Sequence, residues 1–270
     1  MGIVNVTPDS FSDGGRHDTT LKAVAHGLQL IASGADCLDI GGESTRPGAD
    51  PVPLDEELER VVPVIERLSR ETDLPLSVDT LKPDVAKAAI EAGAQIWNDV
   101  SALSADGAIG LAAELGCHVV LMHMRGQPRT MQIKPDYLDV TADVQAWLLA
   151  RARAVQQGGV GKDRIVLDPG IGFGKTAAHN LALLAALPEL ANHGYPVLLG
   201  ASRKRFIAAI DPTNPSEQDR LGGSLAAALC GAQAGCAMVR VHDVAQTVQA
   251  LDTHAAIMEA ARRGDAKPWA

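Results

Sequence analysis

Eight short apolar runs, each closed by a polar residue and followed by a segment of helical spacing, constrain this 270-residue chain more than any other feature. The clearest is residues 164–175, RIVLDPGIGFGK. Ile165-Val166-Leu167 is too short for a helix and rich in β-branched residues, so it reads as a buried strand. It ends in Asp168 and in Pro169-Gly170, which cannot continue a strand, and Gly170, Gly172 and Gly174 surround Phe173. A strand that delivers an acid to a glycine-rich loop is building a site.

The same grammar runs through the chain in order. Strands are expected at 2–6, 37–40, 76–80, 96–100, 118–123, 165–168, 196–199 and 237–241. Helices are expected at 21–33, 54–69, 84–91, 108–115, 138–156, 178–190, 220–234 and 245–262. Acids open the second helix, where the helix dipole favours them, and Pro83 stands at the front of the third. Eight strand–helix units with no linker predict a single (β/α)8 barrel, an α/β TIM barrel filling residues 1–270. An open doubly wound sheet is the rival; eight regular units over this length favour closure. A first strand that begins at residue 1 leaves the barrel bottom uncovered, as in a chain numbered from an internal Met.

Composition excludes several classes. No apolar run approaches the ~18 residues of a membrane span. No basic segment with an apolar core opens the chain, so it reads as cytoplasmic. A net charge of −9 argues against nucleic acid as a partner, and any anionic ligand then needs a local cluster of cations. Cys37, Cys117, Cys230 and Cys236 lie in apolar runs without CxxC spacing, which reads as buried reduced thiols.

In a barrel the C-terminal strand ends share one mouth. The polar residues there are Asn5, Thr45, Arg46, Asp79, Asn98, Asp168, Lys204, Arg240 and His242. A strand-end acid is often a helix cap, but capping does not explain nine such residues at one topological position. Two decoys fall away. Residues 170–176 end in Gly-Lys-Thr like a phosphate-binding P-loop, yet the first glycine of that pattern is replaced by Pro169. His118 and His123 are too sparse for a zinc site.

NVTPDSFSDGG (5–15), GGESTRPG (41–48), DPGIGFGK (168–175), SRK (202–204) and RVHDV (240–244) resemble, in order and at strand ends, the signature segments of the dihydropteroate synthase family of pterin-binding enzymes. That resemblance implies a transferase of alkyl or aryl groups in folate biosynthesis. It condenses 6-hydroxymethyl-7,8-dihydropterin pyrophosphate with p-aminobenzoate, releases pyrophosphate, uses Mg2+ and is a target of sulfonamides. It implies Asp79, Asp168 and Lys204 as catalytic residues, and Asp79, Asn98, Asp168, Lys204 and Arg240 around the pterin. Asn5, Thr45, Arg46, Arg240 and His242 would hold pyrophosphate, with Asn5 as the protein contact to Mg2+. Thr45, Pro47, Phe173, Ser202, Arg203 and Lys204 would take p-aminobenzoate, and loops 7–19 and 42–53 would act as lids. Arg205 follows the SRK triplet where many members carry a small hydroxyl residue. The small residues of 220–234 let another helix approach closely, and the resemblance points to a homodimer through the late helices. A pterin-binding methyltransferase module is the alternative within the enzymes, and an idle pterin-binding protein the alternative outside them. The first would lack the pyrophosphate and metal apparatus of the first and second loops. The second would keep Asp79, Asn98 and Asp168 but lose the leaving-group set, and Asn5, Arg240 and His242 are all present.

Overall fold

A computed structural model describes residues 1–7, 16–44, 48–127, 129–133, 135–211, 213, 216 and 220–263, with the first helix's side chains from residue 19 onward. The strands are β1 (Gly2–Asn5), β2 (Leu38–Gly41), β3 (Leu76–Asp79), β4 (Ile96–Asp99), β5 (His118–Met122), β6 (Ile165–Asp168), β7 (Leu198–Leu199) and β8 (Met238–Val239). All are parallel: β1 to β6 pair in sequence, and β7 pairs with β8. Two isolated parallel bridges, Leu167 to Val197 and Gly2 to Val241, join the two sheets at both edges. The ring is therefore closed, as the eightfold alternation predicts.

The helices are α1 (Arg16–Ala32), α2 (Leu54–Glu71), α3 (Pro83–Glu91), α4 (Ala108–Leu115), α5 (Val140–Gln157), α6 (Ala177–Ala185), α7 (Leu187–Ala191), α8 (Arg205–Ile210), α9 (Leu221–Gln233) and α10 (Val244–Arg263). Their ends follow local chemistry. Asp139 caps α5 by accepting from the N–H groups of Thr141 and Ala142, and Thr176 and His179 form a reciprocal cap on α6. Three differences from expectation stand out. The segment 178–190 is broken in two, with Pro188 in the first turn of α7. The extra helix α8 precedes α9. β7 and β8 are two residues long: 200–204 leave the ladder to build a loop, while Arg240 still donates to the Leu199 carbonyl and Val241 bridges Gly2 before the chain turns at 242–243.

Two packed layers hold the barrel. Between ring and helices lies the main core, with Leu38, Ile40, Ile65, Leu68, Val78, Trp97, Leu121, Leu148, Ile165 and Leu167 essentially inaccessible. Inside the ring a smaller cluster of Met1, Cys37, Ile96, Val120, Val166, Leu198 and Met238 fills the lower half. These alternate with the outward residues and share their parity with Asn5, Asp39, Asp79, Asn98, Asp168 and Arg240. The interior is thus an apolar plug below and a polar mouth above. Cys230 departs from expectation: it is exposed, on the side of α9 away from the buried stripe Ser224, Ala227, Ala228 and Gly231.

Candidate active site

Strand register assembles the site. Asn5 pairs with Gly41, Gly41 with Asp79, and Asp79 with Asn98, while Met122 pairs with Asp168. One row of the ring therefore carries amide, glycine, acid and amide side by side. Gly41 adds no side chain to that row, and a Cβ there would make only ordinary contact with the Asp79 Cβ, at 3.5 Å.

Arg240 enters from the end of β8 and ties the mouth together. Its Nε donates to Asp39 Oδ2 at 2.6 Å and its Nη2 to Asp79 Oδ2 at 2.8 Å. Asn98 Nδ2 donates to the same Asp39 oxygen at 3.0 Å. Asp39 is fully buried, so its charge requires this guanidinium. Burial pushes the Asp79 carboxyl up to about 7 against the pull of Arg240, and Asp39 adds to the rise. The two acids drive the Arg240 pKa above its ordinary value despite its burial. Asp39 was absent from the expected set. Its signal is an acid within the apolar run Cys37–Ile40, which a buried parallel strand does not otherwise need.

Asp168 faces this cluster from β6. Its Oδ1 accepts the Gly170 N–H at 2.7 Å, and its Oδ2 lies 3.7 Å from where a Cβ on Gly200 would stand. Burial raises its pKa, and the Gly170 bond, Lys204, Lys175 and Arg240 work against the rise. Lys204 holds its Nζ 4.1 Å above the Phe173 ring. Gly172 lies beneath the lysine stem, with a Cβ at that position only 3.1 Å from Lys204 Cδ.

The leaving-group side departs from expectation in charge. His242 is neutral near pH 7: burial first, then Arg240 and Arg203, lower its pKa to about 3. Its backbone N–H donates to Ser202 Oγ at 3.2 Å, and its Nδ1 lies 3.0 Å from the same oxygen. A hydroxyl proton given to Nδ1 leaves Nε2 carrying the ring proton, so His242 can still donate to an anion. Arg203, expected at the aminobenzoate carboxylate, binds Asp243 through both Nε (3.0 Å) and Nη2. It sits at φ +58°, a left-handed conformation costly for a residue with a Cβ. Ser224 Oγ accepts its backbone N–H and Arg220 donates to its carbonyl, and these bonds hold the turn. Thr45, Arg46 and Pro47 lie outside the described residues, as does most of the expected first lid. The base of the second loop is described: Glu43 accepts from the Val52 N–H at 3.3 Å, and Lys82 bridges Glu43 to buried Glu57.

This barrel mouth, with acids and amides on one side and donors on the other, matches known proteins along most of its length. The profile of the pterin-binding enzyme family matches residues 1–242, and the chain belongs to that family. Within the family, the chain is similar to dihydropteroate synthases. The Escherichia coli (strain K12) enzyme is 48% identical over 251 residues, 93% of this chain and 88% of the relative. A Xanthomonas albilineans dihydropteroate synthase solved with 4-aminobenzoic acid superposes with a TM-score of 0.90 at 53% identity, covering 99% of this chain and 93% of that one. A structure of the enzyme from the same organism with 7,8-dihydropteroate gives 0.86 at 50% identity, covering 99% and 94%.

Proposed function

We propose that this chain works as a dihydropteroate synthase, joining 6-hydroxymethyl-7,8-dihydropterin pyrophosphate to p-aminobenzoate and releasing pyrophosphate. The observation that carries the reading is the cluster in which Arg240 binds Asp79 and Asp39, Asn98 donates to that same Asp39, and Asp168 lies within the electrostatic reach of Arg240 and of Lys204, which stands over Phe173. A pterin presents a 2-amino group beside a ring N–H, two donors that one carboxylate accepts together, and Asp168 takes that role. Asp79 and Asn98 complete the polar edge, and Lys204 meets the ring's acceptors. A site built this way rejects analogues without those groups, because its own buried groups would be left unpaired.

The C–O bond to pyrophosphate breaks with its electron pair leaving on oxygen. The exocyclic methylene cation is delocalised into the dihydropterin ring. The aminobenzoate nitrogen then forms the new C–N bond, and its proton departs with the released anion. The dissociative route fits the thiols: burial lifts Cys37 to about 12 and raises Cys117, so neither serves as a nucleophile. Arg240 and neutral His242, with Thr45 and Arg46, receive the leaving group. Phe173 and Pro47 wall the aminobenzoate ring, and its carboxylate meets the turn Ser202-Arg203-Lys204.

Among the described residues no three His, Cys, Asp or Glu side chains are grouped to cage a metal. A donor set of one Asn5 amide oxygen suits Mg2+, which commonly keeps waters and takes phosphate oxygens as its other ligands. Bound there, it would neutralise leaving-group charge. The apolar face between α9 and α10, lined by Leu221, Leu225, Leu229, Ala250 and Ile257, is proposed as a homodimer surface. Among the described residues no helix is long and apolar enough to cross a membrane, and the proposed location is the cytoplasm. A sulfonamide would compete for the aminobenzoate pocket. Formation of 7,8-dihydropteroate with an equal amount of pyrophosphate, dependent on both substrates and Mg2+, tests the reading; no dihydropteroate from the complete mixture would defeat it.

A further inference from the structure

We propose that Lys175 is a positioning residue that acts on p-aminobenzoate through Phe173, rather than a phosphate ligand of the P-loop kind its sequence mimics. This rests on the reading of Phe173 as a wall of the aminobenzoate pocket. The lysine is 3% exposed, and its ammonium lies inside the loop it terminates. Nζ stands 2.9 Å from the Phe173 carbonyl, 3.0 Å from the Gly170 carbonyl, 3.1 Å from the His123 carbonyl and 3.0 Å from His123 Nδ1. Burial lowers the pKa of this group to about 7, and whether it carries three protons as the ammonium or two as the amine, four acceptors at these distances engage all of them. None is left for a ligand phosphate.

The remaining polar groups of the loop show what this arrangement fixes. Gly170 N–H goes to Asp168, Gly172 N–H to Asn180 and Phe173 N–H back to the Gly170 carbonyl. The Gly172 carbonyl accepts from Gln132 and the Gly174 carbonyl from Tyr137. Among the described residues, Lys175 alone reaches the carbonyls of both Gly170 and Phe173, the two residues that deliver the Asp168 contact and the aromatic wall. Its partner His123 is held neutral by burial and by Lys175 itself, which lets Nδ1 accept. His123 is also the C-terminal neighbour of β5, and its N–H donates to the Asp168 carbonyl at 3.0 Å. The lysine thereby fastens the glycine loop to the ring.

Replacing Lys175 by Met keeps chain length and apolar bulk while removing every donor. The Phe173 carbonyl then loses its partner, and the ring loses its fixed height under Lys204. Asp168 stays on its strand with the Gly170 bond. Steady-state kinetics of Lys175→Met should show KM for p-aminobenzoate raised about tenfold or more, with kcat reduced less. Calorimetric affinity for a pterin without pyrophosphate should stay within about threefold. In a double-mutant cycle, adding Lys175→Met to Phe173→Ala should raise KM no further, because the first change acts through the second. If Lys175→Met does not fold, Lys175→Gln, which retains two donors, is put through the same cycle. An unchanged aminobenzoate KM, equal losses for both substrates, or additive effects in the cycle would each overturn the proposal. A wild type that releases no pyrophosphate would defeat the functional reading instead, so the two failures are distinct.

Discussion

Asp168 is the residue on which the pterin reading rests most directly. Asp168→Asn preserves shape but sets an amide donor against the donors of the ring. The lost charge-assisted bond and the new donor–donor contact should cost about 2–4 kcal/mol of pterin binding by calorimetry. Unchanged affinity would remove the assignment. Asp79 yields a pH prediction. Its folded pKa is about 7 against an ordinary value of 3.8, so between those values the native state holds a proton that the unfolded chain has released. A raised folded pKa stabilises at low pH, and that contribution is lost as pH rises through about 7. The melting temperature of the wild type, relative to Asp79→Asn, should therefore fall from pH 4 to pH 7.5; a difference flat in pH would place the proton elsewhere. At this scale the sequence was informative wherever a polar residue closed an apolar run, as with Asp79, Asn98, Asp168 and Arg240. Asp39 carries a different signal, an acid inside the run 37–40 rather than at its close, and a search for closing residues passes over it. The partners of Arg203 and Lys175 were hidden for another reason: both depend on where distant backbone turns bring a carboxylate or a carbonyl.

The glycine-rich loop after β6 is the element whose backbone is most constrained. Gly170 sits at φ +67°, and a Cβ there would lie 2.0 Å from the His123 carbonyl oxygen. Gly170→Ala should destabilise by at least about 3 kcal/mol, combining left-handed strain with a backbone clash that no rotamer relieves. Gly110, exposed in α4 with open space for 4 Å around the place a Cβ would take, provides the contrast. Gly110→Ala should stabilise by about 0.5–1 kcal/mol. Urea midpoints of the two variants check both signs, and a Gly110→Ala loss would mean that α4 is not packed as described. Strand and helix order was readable from periodicity. The break of 178–190 was not: Pro188 is tolerated in a first turn, so its presence does not reveal whether a helix begins or ends there.

For the whole molecule, the α9–α10 face predicts assembly. α9 gives Ser224, Ala227, Ala228 and Gly231 to the barrel and leaves Leu221, Leu225 and Leu229 on the groove. Light scattering at micromolar concentration should give a dimer mass, and Leu225→Glu a folded monomer. A monomeric wild type would leave this face without a role.

The two single bridges that complete the ring have a further consequence. β7 and β8 are tied to each other by two register pairs but to β6 and β1 through one bridge each, so this quarter is the least firmly latched. It also carries Lys204, Arg240 and His242, whereas Asp79, Asn98 and Asp168 belong to the continuous six-stranded sheet. In native-state hydrogen exchange the amides of Arg240 and Val241 should open at lower free energy than those of β3 and β4. A pterin held by Asp168 on one side and Lys204 on the other would span the gap, slowing exchange at those two amides more than anywhere in the sheet. Substrate would then act as the missing rung of the ladder, and occupancy could be read from the backbone.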